Sequence, residues 1–175
     1  MDQKIYEVNY IAVYKYILYL TNDAQLAHGL LQETFYRFYR QQTSNIDNPK
    51  AFLLRIARNI VYDHFRKKRI VQFFTLTKDE RIDESPLPEE VVEKGEEVEA
   101  LYKALQQLKF SYREVIVLRY IEDYSVKETA IILGQSEAHI KNNTTRGLQA
   151  LRKLLEGGEG NARTTIKEAP IDRSE

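Results

Sequence analysis

Arg55, Arg58, Asn59, Tyr62, Arg66 and Arg69 recur every three or four residues within PKAFLLRIARNIVYDHFRKKR, the stretch from Pro49 to Arg69. At about 3.6 residues per turn, that spacing stacks them along one ridge of an α-helix. From Lys50 to Arg69 there are seven Lys and Arg against the single acid Asp63. Like charges at helical spacing repel one another unless an anion offsets them, so the ridge suits a polyanion better than a plain solvated face. Tyr62 in the ridge and Phe65 beside it are rings of the kind that stack on unpaired bases next to phosphate-binding arginines.

A second group lies near the other end of the chain. Ser125-Val126-Lys127-Glu128 is a Ser-x-x-Glu capping box that opens a short helix ending at Leu133-Gly134, and Ser136 caps a longer one reaching about Glu156. Two helices joined by a three-residue turn containing glycine form a helix-turn-helix signal. The plainer reading is a helical hairpin packed on a partner. With Ile140 as the buried reference, Thr144, Gly147, Leu148 and Leu151 share its side. Ala138, Lys141, Asn142, Thr145 and Gln149 fall opposite, with Arg146 and Arg152 at the margins. Asn and Gln can pair bidentately with adenine, while Lys and Arg reach guanine or phosphate. His139, near the helix start, reads as a surface side chain.

Both groups need helices to hold them. In the basic stretch Leu53, Ile56, Ala57, Ile60 and His64 share a narrow arc opposite the ridge, flanked by Phe52, Leu54 and Val61, which defines a core face. Upstream, helices are expected from Lys4 to Leu20 and from about Ala24 to Arg40, separated by the turn-forming Thr21-Asn22-Asp23. A polar loop follows to Asn48, and Pro49 sits where a helix tolerates proline. The periodicity decays after Arg69, so Val71 to Leu76 reads as a short strand or a linker segment. Lys78 to Glu99 then holds ten acids against Lys78, Arg81 and Lys94, and within it Thr77 to Gly95, with Pro86 and Pro88, reads as a tether of low order. Beyond it Val98, Leu101, Leu105 and Leu108 mark a helix, and Ser111 to Glu114 spells a further capping box. The fold class expected is all-α: two small helical domains, residues 1–70 and 97–156, joined by an acidic flexible linker, 71–96, the second domain carrying the helix-turn-helix. Residues 157–175 read as a disordered tail.

Net charge is zero over 175 residues, yet it is partitioned between a basic helix and an acidic tether, and the partition is what informs. There is no cysteine, so disulfides and thiolate metal sites are excluded, and the three histidines lie far apart. No metal or cofactor is expected. No apolar run approaches the roughly 18 residues a membrane span needs, which reads as a soluble cytoplasmic protein. A nuclease built on Asp63 and His64 fails on geometry, since adjacent helical residues point about 100° apart; the chain reads as a non-enzyme.

Three blocks, taken in order, carry a resemblance. Leu31-Gln32-Glu33-Thr34-Phe35 comes first, then Phe52 to Lys67, then Tyr112 to Tyr120 with Tyr124-Ser125, Ile132-Leu133-Gly134, Ile140-Lys141 and Arg146-Gly147. Together, over about Ile5 to Leu155, the chain resembles the extracytoplasmic-function (ECF) group of the sigma-70 family of bacterial RNA polymerase sigma factors. The resemblance implies that Arg55, Arg58, Asn59, Tyr62, Asp63, Arg66, Lys67 and Arg69 engage the melted minus-10 element, with the loop from Thr43 to Asn48 capturing an extruded base. It implies that Ser136, Ala138, Lys141, Asn142, Thr145, Arg146 and Gln149 engage the minus-35 duplex. Core RNA polymerase would be bound through Gln32, Glu33, Phe35 and Arg37, because the acidic pair usual just upstream is replaced by Leu26-Ala27-His28-Gly29. Promoter DNA and core polymerase are thus the implied partners, an anti-sigma factor a further one, and the free chain a monomer. The competing reading is a free-standing helix-turn-helix regulator that binds an operator as a dimer.

Overall fold

The computed structural model describes residues 3–41, 46–75 and 95–157, with side chains through Lys68 in the second segment. Residues 42–45 of the loop before Pro49, residues 76–94 of the tether, the tail and the Arg69 side chain therefore lie outside the described residues. Seven α-helices are present among those described. They are α1 (Gln3–Thr21), α2 (Ala24–Arg40), α3 (Pro49–Thr75), α4 (Glu96–Gln107), α5 (Phe110–Ile116), α6 (Val126–Leu133) and α7 (Glu137–Gly157). A π-helical stretch, Val117–Ile121, extends α5.

Short-range chemistry sets most helix starts. Asp23 caps α2 by accepting from the Leu26 N–H at 2.9 Å, and Asn48 caps α3 by accepting from that of Ala51 at 3.0 Å. Two expectations are corrected. Helix α3 does not end at Arg69; its backbone stays helical to Thr75, with no glycine or proline from Arg69 to Thr75 to stop it and no strand among the described residues. Ser111 and Glu114 do not form a capping box, because α5 already starts at Phe110 and Glu114 is drawn into a buried ion pair instead.

Helices α1, α2 and α3 pack as one unit around Val13, Tyr16, Ile17, Leu31, Leu53, Ala57 and Val61. Helices α4 to α7 form the second, with Leu105, Leu108, Ile116 and Leu151 in one cluster. The two units pack against each other: Val115, Leu118, Ile132 and Ile140 belong to the same buried cluster as the α1–α3 core. Buried Tyr102 donates to the Leu18 carbonyl at 3.1 Å, Gln106 to Tyr19 at 2.9 Å and Arg113 to Leu20 at 3.0 Å. Those carbonyls lie in the last turn of α1, where the Leu18 oxygen also accepts from the Asn22 N–H at 2.9 Å, so the second half adds donors at the C-terminal end of the first helix.

Two helical glycines give opposite expectations for the same change. A Cβ at Gly29 meets nothing within 4 Å, so Gly29→Ala should stabilise by up to about 1 kcal/mol through helix propensity. A Cβ at Gly147 would lie 2.9 Å from Ile116 Cδ1 and 3.2 Å from Tyr112 Cβ, where α7 crosses α5. Overpacking there should outweigh propensity, and Gly147→Ala should cost about 1–2 kcal/mol. Urea unfolding of both variants checks the pair; a rise in midpoint for Gly147→Ala would contradict the close approach.

Candidate nucleic-acid interface

The phase of α3 is set by its apolar arc. Leu53, Leu54, Ile56, Ala57, Ile60 and Val61 are buried, whereas His64 is only half-buried and sits edge-on to Phe65. That orientation leaves Arg55, Asn59, Tyr62, Arg66 and Lys67 exposed along one side. Arg66 Nη2 lies 3.3 Å from Asp63 Oδ1 in an open i, i+3 pair, so Asp63 tethers a ridge cation at the surface. Asp63 and His64 have different partners, as their angular separation on the helix requires.

Arg58 departs from the row. Its guanidinium donates from Nε to Glu114 Oε2 at 2.9 Å and from Nη2 to Oε1 at 3.3 Å, and it lies over the Tyr62 ring at 5.0 Å. The Arg58 side chain is 17% exposed and that of Glu114 1%. Burial alone would lower the Arg58 pKa, but the hydrogen bond and charge of Glu114 more than offset it and hold the guanidinium charged. Burial pushes the Glu114 carboxyl up from its ordinary value, and Arg58 draws it only part of the way back. Charge patterning identified the ridge but not the partner of this one member.

Helix α7 is positioned by the chemistry read from its approach. Ser125 and Glu128 close a reciprocal capping box on α6, with Glu128 N–H to Ser125 Oγ 3.2 Å and Ser125 N–H to Glu128 Oε2 2.8 Å. The Ser125 hydroxyl and backbone N–H hold the Glu128 carboxyl below its ordinary pKa. Gly134 adopts φ 66°, a left-handed conformation that few other residues accept. Ser136 Oγ then accepts from the His139 N–H at 3.2 Å to start α7. Ile140, Gly147 and Leu151 are buried, and Ala138, Lys141, Asn142, Thr145, Arg146 and Gln149 are all exposed on the outer side. The Thr145 hydroxyl is occupied by a bond to the Lys141 carbonyl at 3.1 Å. Asn143 was not singled out by the sequence pattern; it is buried, and its Nδ2 lies 3.0 Å from His139 Nε2, orienting that ring at the head of the helix.

On α2, Gln32 and Arg37 are exposed, and Glu33 pairs with Arg37 at 2.6 Å. Phe35 does not reach the surface. It packs against Tyr6 with ring centroids 4.7 Å apart, and the aromatic presented outward is its neighbour Tyr36, with Arg40 over its ring at 5.6 Å. One residue of helix is about 100°, enough to exchange the two roles.

An exposed recognition-type helix thus follows a glycine turn in one unit, and a cationic, tyrosine-bearing helix lies in the three-helix unit. Residues 5–70 match the family model "Sigma-70 region 2" and residues 98–151 match "Sigma-70, region 4", and the chain belongs to the sigma-70 family of RNA polymerase sigma factors, which serve transcription initiation. Within that family it falls in the ECF group. It is 35% identical to the ECF RNA polymerase sigma factor SigX of Bacillus subtilis, over 88% of this chain and 83% of the relative. It is 31% identical to SigM of the same organism, over 89% and 95%. Among solved structures it is similar to the sigma factor RpoE of Bartonella quintana in complex with the anti-sigma factor NepR, with a TM-score of 0.73, 25% identity, and 88% and 96% of the two chains covered. CnrH in complex with the cytosolic domain of CnrY shares the fold at a TM-score of 0.64 and 22% identity, covering 89% and 88%.

Proposed function

We propose that this sigma factor recruits core RNA polymerase through α2, grips the minus-35 duplex with α7 and holds the melted minus-10 strand along α3. The observation that carries the reading is the pairing of two separate polar faces. One, on α7, offers Lys141, Asn142, Arg146 and Gln149 at groove-reading spacing; the other, on α3, offers Arg55, Asn59, Tyr62 and Arg66. Gln32, Glu33 and Arg37 supply the polymerase-facing side. One of the similar solved structures is the sigma factor RpoE in complex with the anti-sigma factor NepR, which supports an anti-sigma partner for this chain as well. No described helix is long and apolar enough to cross a membrane, in keeping with work alongside polymerase and DNA in the cytoplasm.

Transcription by purified core polymerase on a library of upstream fragments tests the reading. Transcripts that start only when this chain is added are expected. A stable dimer that shifts an operator fragment without polymerase, and no added transcripts, would overturn it in favour of a free-standing regulator.

Arg146→Ala should weaken minus-35 duplex binding and reduce the salt slope by about 1, as expected if its guanidinium meets a phosphate or a base edge beside one. Fluorescence anisotropy across a salt series reads both quantities. Unchanged affinity would remove Arg146 from the interface.

A further inference from the structure

At the head of α7 a buried amide is spent on an exposed ring. Asn143 is buried, and an amide shut away from water is costly unless it is hydrogen-bonded. Its side-chain partner among the described residues is His139, one turn nearer the helix start, with 3.0 Å from Nδ2 to Nε2. An amide nitrogen can only donate, so Nε2 is the acceptor and the ring proton sits on Nδ1. Nδ1 makes no hydrogen bond among the described residues. The backbone of His139 is fixed as well, because its N–H donates to the Ser136 hydroxyl at 3.2 Å. An exposed side chain is thus held at both ends, with one ring donor left over.

Its place on the helix gives that donor a target. Seven residues turn about 700°, so His139 lies within about 20° of the line of Arg146, two turns nearer the start of α7. Asn142 stands between them, about 60° to one side. The first residues of a recognition helix are the ones that meet base edges in the major groove. A loose surface histidine would lose rotamer freedom on meeting a base, whereas this ring has already lost it in the folded chain.

We propose that His139 is a further reader of the minus-35 duplex, donating from Nδ1 to the N7 of a purine, and that Asn143 is the positioning residue that fixes which ring nitrogen is presented. The role rests on α7 gripping that duplex. Guanine suits the donor better than adenine, since O6 beside its N7 is a second acceptor where adenine carries an amino donor.

The test uses core polymerase carrying the full chain and a promoter fragment recovered with the parent protein, its base pairs around minus-35 randomised; transcribed templates are sequenced. His139→Ala, at an exposed position, should flatten a purine preference at one base pair by roughly three- to tenfold and leave the others standing. Putting the 7-deaza analogue of that purine at the same position should cost the parent about the same factor and cost His139→Ala nothing. Asn143→Ala and Asn143→Leu, one leaving a gap and the other filling it, should each flatten the same base pair and lose sensitivity to the analogue, which a packing defect alone would not bring about. Adding His139→Ala to either should cause no further loss. A uniform fall across all sequences with a smaller salt slope would put His139 on a phosphate and overturn the base contact, as would a parent indifferent to the analogue. Asn143 variants that keep the full preference would overturn the positioning role. If Arg146→Ala loses a preference of its own while His139→Ala loses none, His139 is no reader and α7 still is. If the parent itself selects no sequence there, the duplex-binding role of α7 fails with it.

Discussion

Replacing Arg113 by alanine is expected to destabilise the fold by about 3–5 kcal/mol, the largest stability loss of any single change on this surface-to-core seam. Its guanidinium donates from Nη1 to the Leu20 carbonyl at 3.0 Å and to Gln106 Oε1 at 2.9 Å. From Nη2 it donates to the carbonyls of Gln106 at 2.6 Å and Leu108 at 3.1 Å. Three of the four acceptors are backbone carbonyls at or just past the ends of α1 and α4, where helices carry unpaired oxygens and the negative end of the dipole. One cation thus closes two helices from different units. Burial pulls its pKa down to about 10, so the group is still charged at neutral pH and all four bonds are charge-assisted. Alanine would take a donor from three part-buried carbonyls, each loss costing about 1–3 kcal/mol less whatever water recovers. Thermal unfolding followed by circular dichroism should show a midpoint lower by roughly 10 °C for a chain of this size. Lysine should recover less than half, since one ammonium cannot span four planar acceptors. A loss under 1 kcal/mol for alanine would mean that the two helix ends find other donors.

What could be read from sequence was what local rules decide. Asp23, Asn48, Ser125 with Glu128, Gly134 and Ser136 each act within four residues of themselves, and each cap is where its residue type places it. The buried arcs of α3 and α7 followed from periodicity, which needs only that one side of a helix meets a core. The failures share a cause in contacts distant along the chain. Ser111 and Glu114 have capping-box spacing, but a buried guanidinium 56 positions upstream outcompetes a solvent-exposed backbone N–H for the carboxylate. Arg58 is one cation among seven between Lys50 and Arg69, and only the arrival of α5 distinguishes it. Phe35 and Tyr36 are equally apolar to a pattern, and the choice of which faces inward belongs to the Tyr6 ring on α1. Asn142 faces outward as periodicity places it, and the buried Asn143 beside it is held by its contact with His139.

Asn59→Ala and Arg66→Ala should each reduce promoter opening by about 10- to 100-fold while changing core polymerase binding by less than about twofold. Both side chains are exposed, so their loss should move stability by no more than about 0.5 kcal/mol, and a folding defect cannot account for the effect. Arg66 is tied only to Asp63, with the two side chains 60% and 47% exposed, and such a pair holds its members by about 0–1 kcal/mol. Arg66 is therefore free to leave for a phosphate, unlike Arg58, which must first be released from Glu114. Opening requires bases to be unstacked at a cost of a few kcal/mol, and each ring or guanidinium that receives one returns roughly 1–3 kcal/mol. Removing one such contact affects only the state in which the strands are apart, so it lowers the open fraction and leaves the prior encounter with polymerase intact. Arg37→Ala, on α2 of the same unit, should do the reverse: weaken polymerase binding and leave the opening of already bound promoter unchanged. Fluorescence of 2-aminopurine placed in the minus-10 segment reads opening, and co-purification with core polymerase reads assembly. If Asn59→Ala and Arg66→Ala lose both in equal measure, the ridge is a protein-binding surface, and the melted strand must be held elsewhere.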